Sequence, residues 1–363
     1  MDTFVWLGCA MHKDLNCVKG RCETFKTVWS TLGVPGPALL PNKSNAATLQ
    51  LLEQQEDPVS DSAQAEEAAA AALSGGAVRL ASLAGLCFNH KDDETGQQDL
   101  YRDYFATHHS ENRRFPDTSN TCYGSYVDAA MVLFIFRLKH VRFLEHVRDK
   151  KGSGMLDNME SNILNGLQDW PTITELAVLV MYGQAVSRLY MHAIRAAQAV
   201  GKNGLELGML QQSILTHLDK LILNPDLLLG QSPKAADATL EGSEWMESHM
   251  FSVVTNESKN LLHLHKVLVE FLKAAHTTWE RFISKFVKGG QVKSLTPHEM
   301  ILAFMPPTND ANEGILGMWR VWHRRFPRLM QDHFNAIIMV QWNGTEEHDI
   351  GLIPHCGTCR TQL

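Results

Sequence analysis

The sequence predicts a mainly α protein organised as a helical bundle, and three observations carry that prediction. Apolar residues recur at three- and four-residue steps over long windows: Val127, Met131, Phe134, Ile135, Leu138, Val141 and Leu144 form one stripe. A second stripe is Leu264, Val267, Leu268, Phe271, Leu272, Ala275, Trp279, Phe282, Ile283 and Phe286. Breakers stand where these windows close, at Gly152, Gly201, Pro225 and Gly289-Gly290. Such stripes stabilise little alone and need partner helices, which makes the middle of the chain a bundle.

Taken in order, Phe4-Val5-Trp6-Leu7 is rich in residues that suit a pleated surface, so a short buried strand leading into a helix is expected over residues 1–32. Gly33-Val34-Pro35-Gly36-Pro37 stops that helix. Residues 45–73 shift to Ala, Gln and Glu, with Ala68 to Ala72 unbroken, and read as a surface helix with a joint at Ser74-Gly75-Gly76. The polar stretch 90–121 reads as a connection holding one short helix around Leu100–Phe105. Four further helices are expected: Tyr123 to about Lys151; Thr174 to Val200, capped by Thr172 or Thr174; Leu207 to Leu223; and Leu261 to about Lys288.

With 363 residues and 44% hydrophobic content the chain can bury a large core. The formal charge of −7 provides no overall basic field, so contact with nucleic acid has to be local. An acid at position 2 and a short apolar run argue against a secretory signal. The most apolar internal run, Ala129–Phe136, is less than half of the roughly 20 residues that span a bilayer. An intracellular protein of nucleus or cytoplasm is expected, not secreted, with no membrane partner. Its seven cysteines are then reduced, and the sequons at Asn42, Asn256 and Asn343 carry no sugar.

Three constellations could carry chemistry. Cys9 and His12, followed by Asp14 and Asn16, could meet at a strand end, but no second ligand pair at zinc spacing follows, so structural packing is expected and no metal is assigned. In Thr308-Asn309-Asp310-Ala311-Asn312-Glu313, Asn309 or Asp310 is a good N-cap, and Glu313 falls in the first turn, where the helix dipole favours an acid. Cys356-x-x-Cys359 lies close to the C-terminus without a second pair and reads as a frayed tail. Neither His263 and His265 nor His108 and His109 stand with a nucleophile and an acid as a triad, and no glycine-rich phosphate loop occurs. Two basic clusters are candidate contact surfaces: Arg137, Lys139, Arg142, Arg148, Lys150 and Lys151, and Arg320, Arg324, Arg325 and Arg328.

Taken together, Cys9-x-x-His12 extended as HKDLN-x-x-KG, and TNDxNEGxLGxxR from Thr308 to Arg320, resemble transposon-derived proteins of mushroom-forming fungi. The first element is similar to the CxxH signature of hAT-like cut-and-paste transposases. The resemblance implies an RNase H-like domain in which Asp, Asp and Glu hold two divalent cations, Mg²⁺ or Mn²⁺, with a helical insertion before the last acid. Glu313 would be that acid, and Cys9, His12, Asp14, Asn16, Asn309, Asp310, Asn312 and Arg320 the surrounding motif. Both upstream aspartates would lie before Cys9, where only eight residues stand, so the resemblance implies an N-terminally truncated, catalytically inactive protein with no cofactor. The implied fold adds a small α/β remnant to the bundle: 1–32 the remnant, 33–122 linker and surface helices, 123–305 the insertion-like bundle, 306–345 the helix of the last acid, and 346–363 a tail. The implied partners are DNA, held through local basic helix faces, or another protein chain. The alternatives are a metal-dependent hydrolase or nuclease using His12, Asp14 and Glu313, and an accessory protein whose role only its genomic context would define.

Overall fold

Helix starts and stops obey the local chemistry of the chain. The computed structural model describes residues 5, 7–42, 75–90, 96–111, 113–118, 124–257 and 259–342. Helix α1, Ala10–Leu32, stops at Gly33, whose φ of 65° lies in the left-handed region that glycine enters without steric cost. There follow α2 (Gly76–Phe88), α3 (Gln98–His109), α4 (Ser125–Ile135) and α5 (Arg137–Lys150). Helix α6, Asn158–Gln168, opens on a capping box between Asp157 and Glu160. Helix α7, Trp170–Tyr182, opens on Asp169, with Pro171 in the first turn. A π-helical turn, Gly183–Ser187, joins it to α8 (Arg188–Ala199). Next come α9 (Gly208–Leu223), α10 (His249–Asn256), α11 (Leu264–Ile283) and α12 (Pro297–Leu302). The last two are α13 (Asp310–Arg325) and α14 (Gln331–Trp342).

The chain divides into two compact units, Met1–Pro307 and Thr308–Leu363. In the first, α7 is the centre. It is buried at every position from Thr172 to Tyr182, as a helix apolar around its circumference must be. Helices α2, α4, α6 and α11 pack around it, and α11 in turn lies against α1 and α9. The seam of α1 and α11 is closed by Phe25 stacked on Phe271 at 5.3 Å. A single hydrophobic cluster runs from Ala10 on α1 to Trp279 on α11. In the second unit α13 and α14 pack through Trp319 and Phe334, whose ring centres are 4.9 Å apart, with Phe334 and Ile338 buried.

The mainly helical prediction holds, and several elements differ in detail. Among the described residues there is no strand, only one antiparallel bridge between Leu39 and Gly75. Val5 and Leu7–Cys9, within and after the run read as a strand, have no assigned secondary structure. Residues 33–122 were expected to be linker and surface helices, yet α2 within them is a core helix with Leu80, Ala81, Ala84 and Cys87 fully buried. Its small side chains let it approach α6 and α7 closely, which periodicity does not weigh. The helix expected from Tyr123 to Lys151 is two helices, broken at Phe136. Its carbonyl accepts the Nδ1–H of His140 at 2.8 Å, and the other ring nitrogen accepts the Tyr101 hydroxyl at 3.1 Å. The helix expected from Thr174 to Val200 starts earlier, because Asp169 rather than a threonine accepts the Thr172 N–H at 2.9 Å, and it passes through the π turn. The helix expected over 45–73 and the Cys356–Cys359 tail lie outside the described residues. No described helix is long and apolar enough to cross a membrane.

Candidate functional site

The residues of the two sequence motifs fall in different units, and each can be placed. Cys9 precedes the first residue of α1 without capping it through its side chain, and its thiol is free. His12 is half-buried, Asn16 is exposed, and Asp14 is fully buried. Asp14 lies on the core face because α1 turns it between the π turn and α11. There its Oδ2 accepts the Ser187 hydroxyl at 2.5 Å and its Oδ1 the Tyr182 hydroxyl at 3.2 Å. The Tyr182 oxygen accepts the indole N–H of Trp279 at 3.1 Å, and the Cys17 sulfur stands 3.5 Å away. Two hydroxyls thus converge on one carboxylate, and the Trp279 indole backs one of them.

The π turn makes this geometry. One extra residue per turn widens the helix and rotates the residues beyond it, a device often found beside functional groups. It brings Ser187 to Asp14, while the buried Gln184 accepts the Glu247 N–H at 3.0 Å through its side-chain oxygen. Gly183 is required here, because a Cβ would lie 2.2 Å from Val127 Cγ1. Burial raises the Asp14 carboxyl to about 6, with the Ser187 and Tyr182 hydrogen bonds opposing that rise.

A second buried acid, Glu175 on α7, accepts the Trp29 indole N–H and the Ala77 backbone N–H, each at 2.9 Å. Its carboxylate can reach that amide because Gly76 (φ +78°) has no side chain: a Cβ there would stand 2.1 Å from Oε2. Burial raises Glu175 to about 7. Both acids bind donors more than 90 residues away in sequence, and among the described residues neither pairs with a cation.

A stability measurement isolates Asp14. Its folded pKa lies above its ordinary value of 3.8, so it opposes folding increasingly as pH rises from about 4 to 6. His140, lowered to about 4 by burial, has the opposite slope in the same window, so total stability does not report on Asp14 alone. The difference between Asp14→Asn and wild type does. It should shift in favour of the variant by about 2 kcal/mol between pH 4 and pH 7 in urea denaturation. A pH-independent difference would remove the buried-carboxylate assignment.

In the second unit Asn309 is the N-cap residue of α13 as expected, but its side chain makes no capping bond and donates instead to Glu313 Oε1 at 3.1 Å. Asp310 starts the helix, Asn312 and Arg320 are exposed, and Glu313 is half-buried. Among the described residues no group of three or more His, Cys, Asp or Glu side chains is placed to hold a metal ion.

The two basic clusters differ in what they are doing. On α5 and just after it, Arg137 pairs with Glu257 at 2.8 Å and covers the Trp170 ring, Lys139 pairs with Glu111, and Lys151 pairs with Glu160. Those three cations stitch elements together, whereas Arg148 meets only the neighbouring Asp149 and, among the described residues, the exposed Arg142 and Lys150 have no carboxylate partner. On α13 Arg320, Arg324 and Arg325 are exposed, as is Arg328 just beyond it, and among the described residues none of the four has a carboxylate partner. Arg320 and Arg324, four apart, share the face opposite Trp322, while Trp319 and Trp322 turn toward Phe334 of α14.

Sequence reasoning singled out Asp14 as part of a structural motif with Cys9, His12 and Asn16, and it missed Tyr182 and Ser187 as its partners and Trp29 and Glu175 as a second buried pair. The available signal was an acid inside an apolar run, at Glu175 in Ile173–Tyr182, which has to be hydrogen-bonded if buried. No protein-family model, no curated protein and no solved structure matches this chain.

Proposed function

We propose that this is a transposon-derived helical protein that contacts DNA through the arginine face of α13 and uses Asp14 to organise its core rather than to carry out a reaction. The observation that supports it best is the contrast between the clusters: among the described residues all four arginines on and just after α13 are free of ion pairs, whereas Arg137, Lys139 and Lys151 of the other cluster are paired. Unpaired guanidinium groups on an amphipathic helix, with the aromatic face already packed, suit phosphate oxygens, since release of condensed counterions drives such contacts. In this reading Leu7–Cys9 and α1 stand for the last strand and following helix of an RNase H-like domain, and Glu313 for its last acid, held by Asn309. Asp14, with both oxygens already accepting hydroxyls, is the group that a hydrolase built on His12, Asp14 and Glu313 would have to free.

Titration of the full chain against mixed-sequence duplex DNA at about 50 mM salt tests this. Replacing Arg320, Arg324, Arg325 and Arg328 by glutamine should weaken binding at least about tenfold, while Arg142→Gln with Lys150→Gln should change it little. Equal loss from both sets, or no binding by the wild type, would remove the proposal.

A further inference from the structure

Two histidines stand together at the surface where α3 meets α5. Phe143 of α5 packs against Tyr101 and Tyr104 of α3, each with ring centres 5.3 Å apart. The hydrogen bond between Tyr101 and His140 joins the same two helices, so side chains along this seam are held at a fixed spacing. One turn beyond Tyr104 comes the exposed His108, and one turn beyond Phe143 the half-buried His146. Both imidazoles lie on Tyr104, with ring centres at 4.3 and 5.1 Å, and their own centres are 5.6 Å apart.

The hydrogen bonding leaves lone pairs on both rings. His108 Nδ1 is 3.1 Å from the Tyr104 carbonyl oxygen, and a carbonyl only accepts, so the proton of the neutral ring sits on Nδ1 and Nε2 carries the lone pair. Neither that Nε2 nor the His146 ring has a hydrogen-bond partner among the described residues. Burial, then the Lys150 charge and His108 itself, hold His146 below its ordinary value, which keeps it neutral at pH 7. Asp149 and Asp103 oppose that shift from further off, which puts two carboxylate charges around the pair without making either a ligand.

Neutral imidazoles suit zinc, copper and nickel, whereas Mg²⁺ takes oxygen ligands. A histidine that ligates a metal usually donates its other N–H to a carbonyl or carboxylate, as His108 does. A ring separation of 5.6 Å is within what two imidazoles span on one cation when each nitrogen lies about 2.0–2.1 Å from it. We infer that His108 and His146 together bind a zinc ion at the α3–α5 seam. His108 Nε2 and a ring nitrogen of His146 are the protein ligands, water fills the remaining positions, and Asp103 and Asp149 offset the charge. With two protein ligands the ion exchanges with solvent, and it clips two helices rather than carrying out a reaction.

Calorimetric titration of the full chain, free of any affinity tag and stripped with chelator, with zinc chloride and then magnesium chloride tests the assignment. Zinc should bind with a Kd on the order of 10 μM, weaker than a four-ligand structural site, and magnesium should not bind at about 1 mM. His108→Gln and His146→Gln should each weaken zinc at least about tenfold, whereas His265→Gln, at an exposed position of α11, should leave it unchanged. Circular dichroism checks that the variants fold. In the wild type, zinc should also shift the imidazole resonances of His108 and His146 together, which decides the matter without a variant. No zinc binding at about 1 mM, the same affinity in wild type and both seam variants, or unmoved His108 and His146 resonances would overturn the inference.

Discussion

Trp279→Ala should lower the stability of the first unit by about 4 kcal/mol, the largest single effect expected from a core substitution in this chain. Trp279 is fully buried on α11, its ring meets Tyr190 edge-on at 4.9 Å, and its N–H is the outer donor of the chain that ends on Asp14. Truncation leaves a cavity too large to collapse between α1, α9 and α11, and it leaves the Tyr182 oxygen without its donor. Urea denaturation followed by circular dichroism measures it. Trp279→Phe, which fills most of the space but donates nothing, should recover more than half of the loss. An unchanged midpoint for the alanine variant would contradict the packing of α11 at the centre of the core.

Glu175→Ala should cost about 3–4 kcal/mol, because two buried donors, the Trp29 indole and the Ala77 amide, lose their acceptor together. The cost depends on pH in a stated direction. Glu175 has a folded pKa of about 7 against an ordinary 4.5, so its contribution to stability is whole below about pH 4.5 and declines as pH rises to 7. The alanine variant should therefore be further below wild type at pH 5 than at pH 8. Equal losses at both would show that the carboxylate does not change its charge state in that interval. Gly76→Ala should be damaging for a separate reason, since its Cβ would displace the same carboxylate.

Much of this architecture is legible in the chain because helices announce themselves through local periodicity. The stripe from Leu264 to Ile283 predicts α11, and every residue named in it up to Ile283 is buried apart from the partly buried Phe282. What periodicity cannot see is a change of pitch. The π turn at Gly183–Ser187 leaves the apolar pattern of Val178–Val186 intact while moving Ser187 onto Asp14. Nor does it see the break at Phe136, whose carbonyl accepts both the His140 backbone N–H and the His140 ring. Helix α2 was expected only as part of a linker with surface helices, because its small residues, Ala77, Ala81, Ala84 and Gly85, form no stripe of large side chains, and only α6 and α7 turn them into a close contact.

The candidate sites were less legible than the fold. Asp14 is conspicuous beside Cys9 and His12, but whether an acid on a helix faces solvent or core depends on the helices it meets, which lie about 170 residues further on at Tyr182 and Ser187. The arginines of α13 and the cations of α5 look alike in sequence. They part only when Glu257, Glu111 and Glu160 are brought against Arg137, Lys139 and Lys151.

The salt dependence of DNA affinity tests the central claim most directly. If Arg320, Arg324, Arg325 and Arg328 each neutralise a phosphate, a plot of log affinity against log salt should have a slope of about −3 to −4, falling toward zero in the variant lacking all four arginines. A slope near zero in the wild type, or the same slope in both proteins, would contradict it.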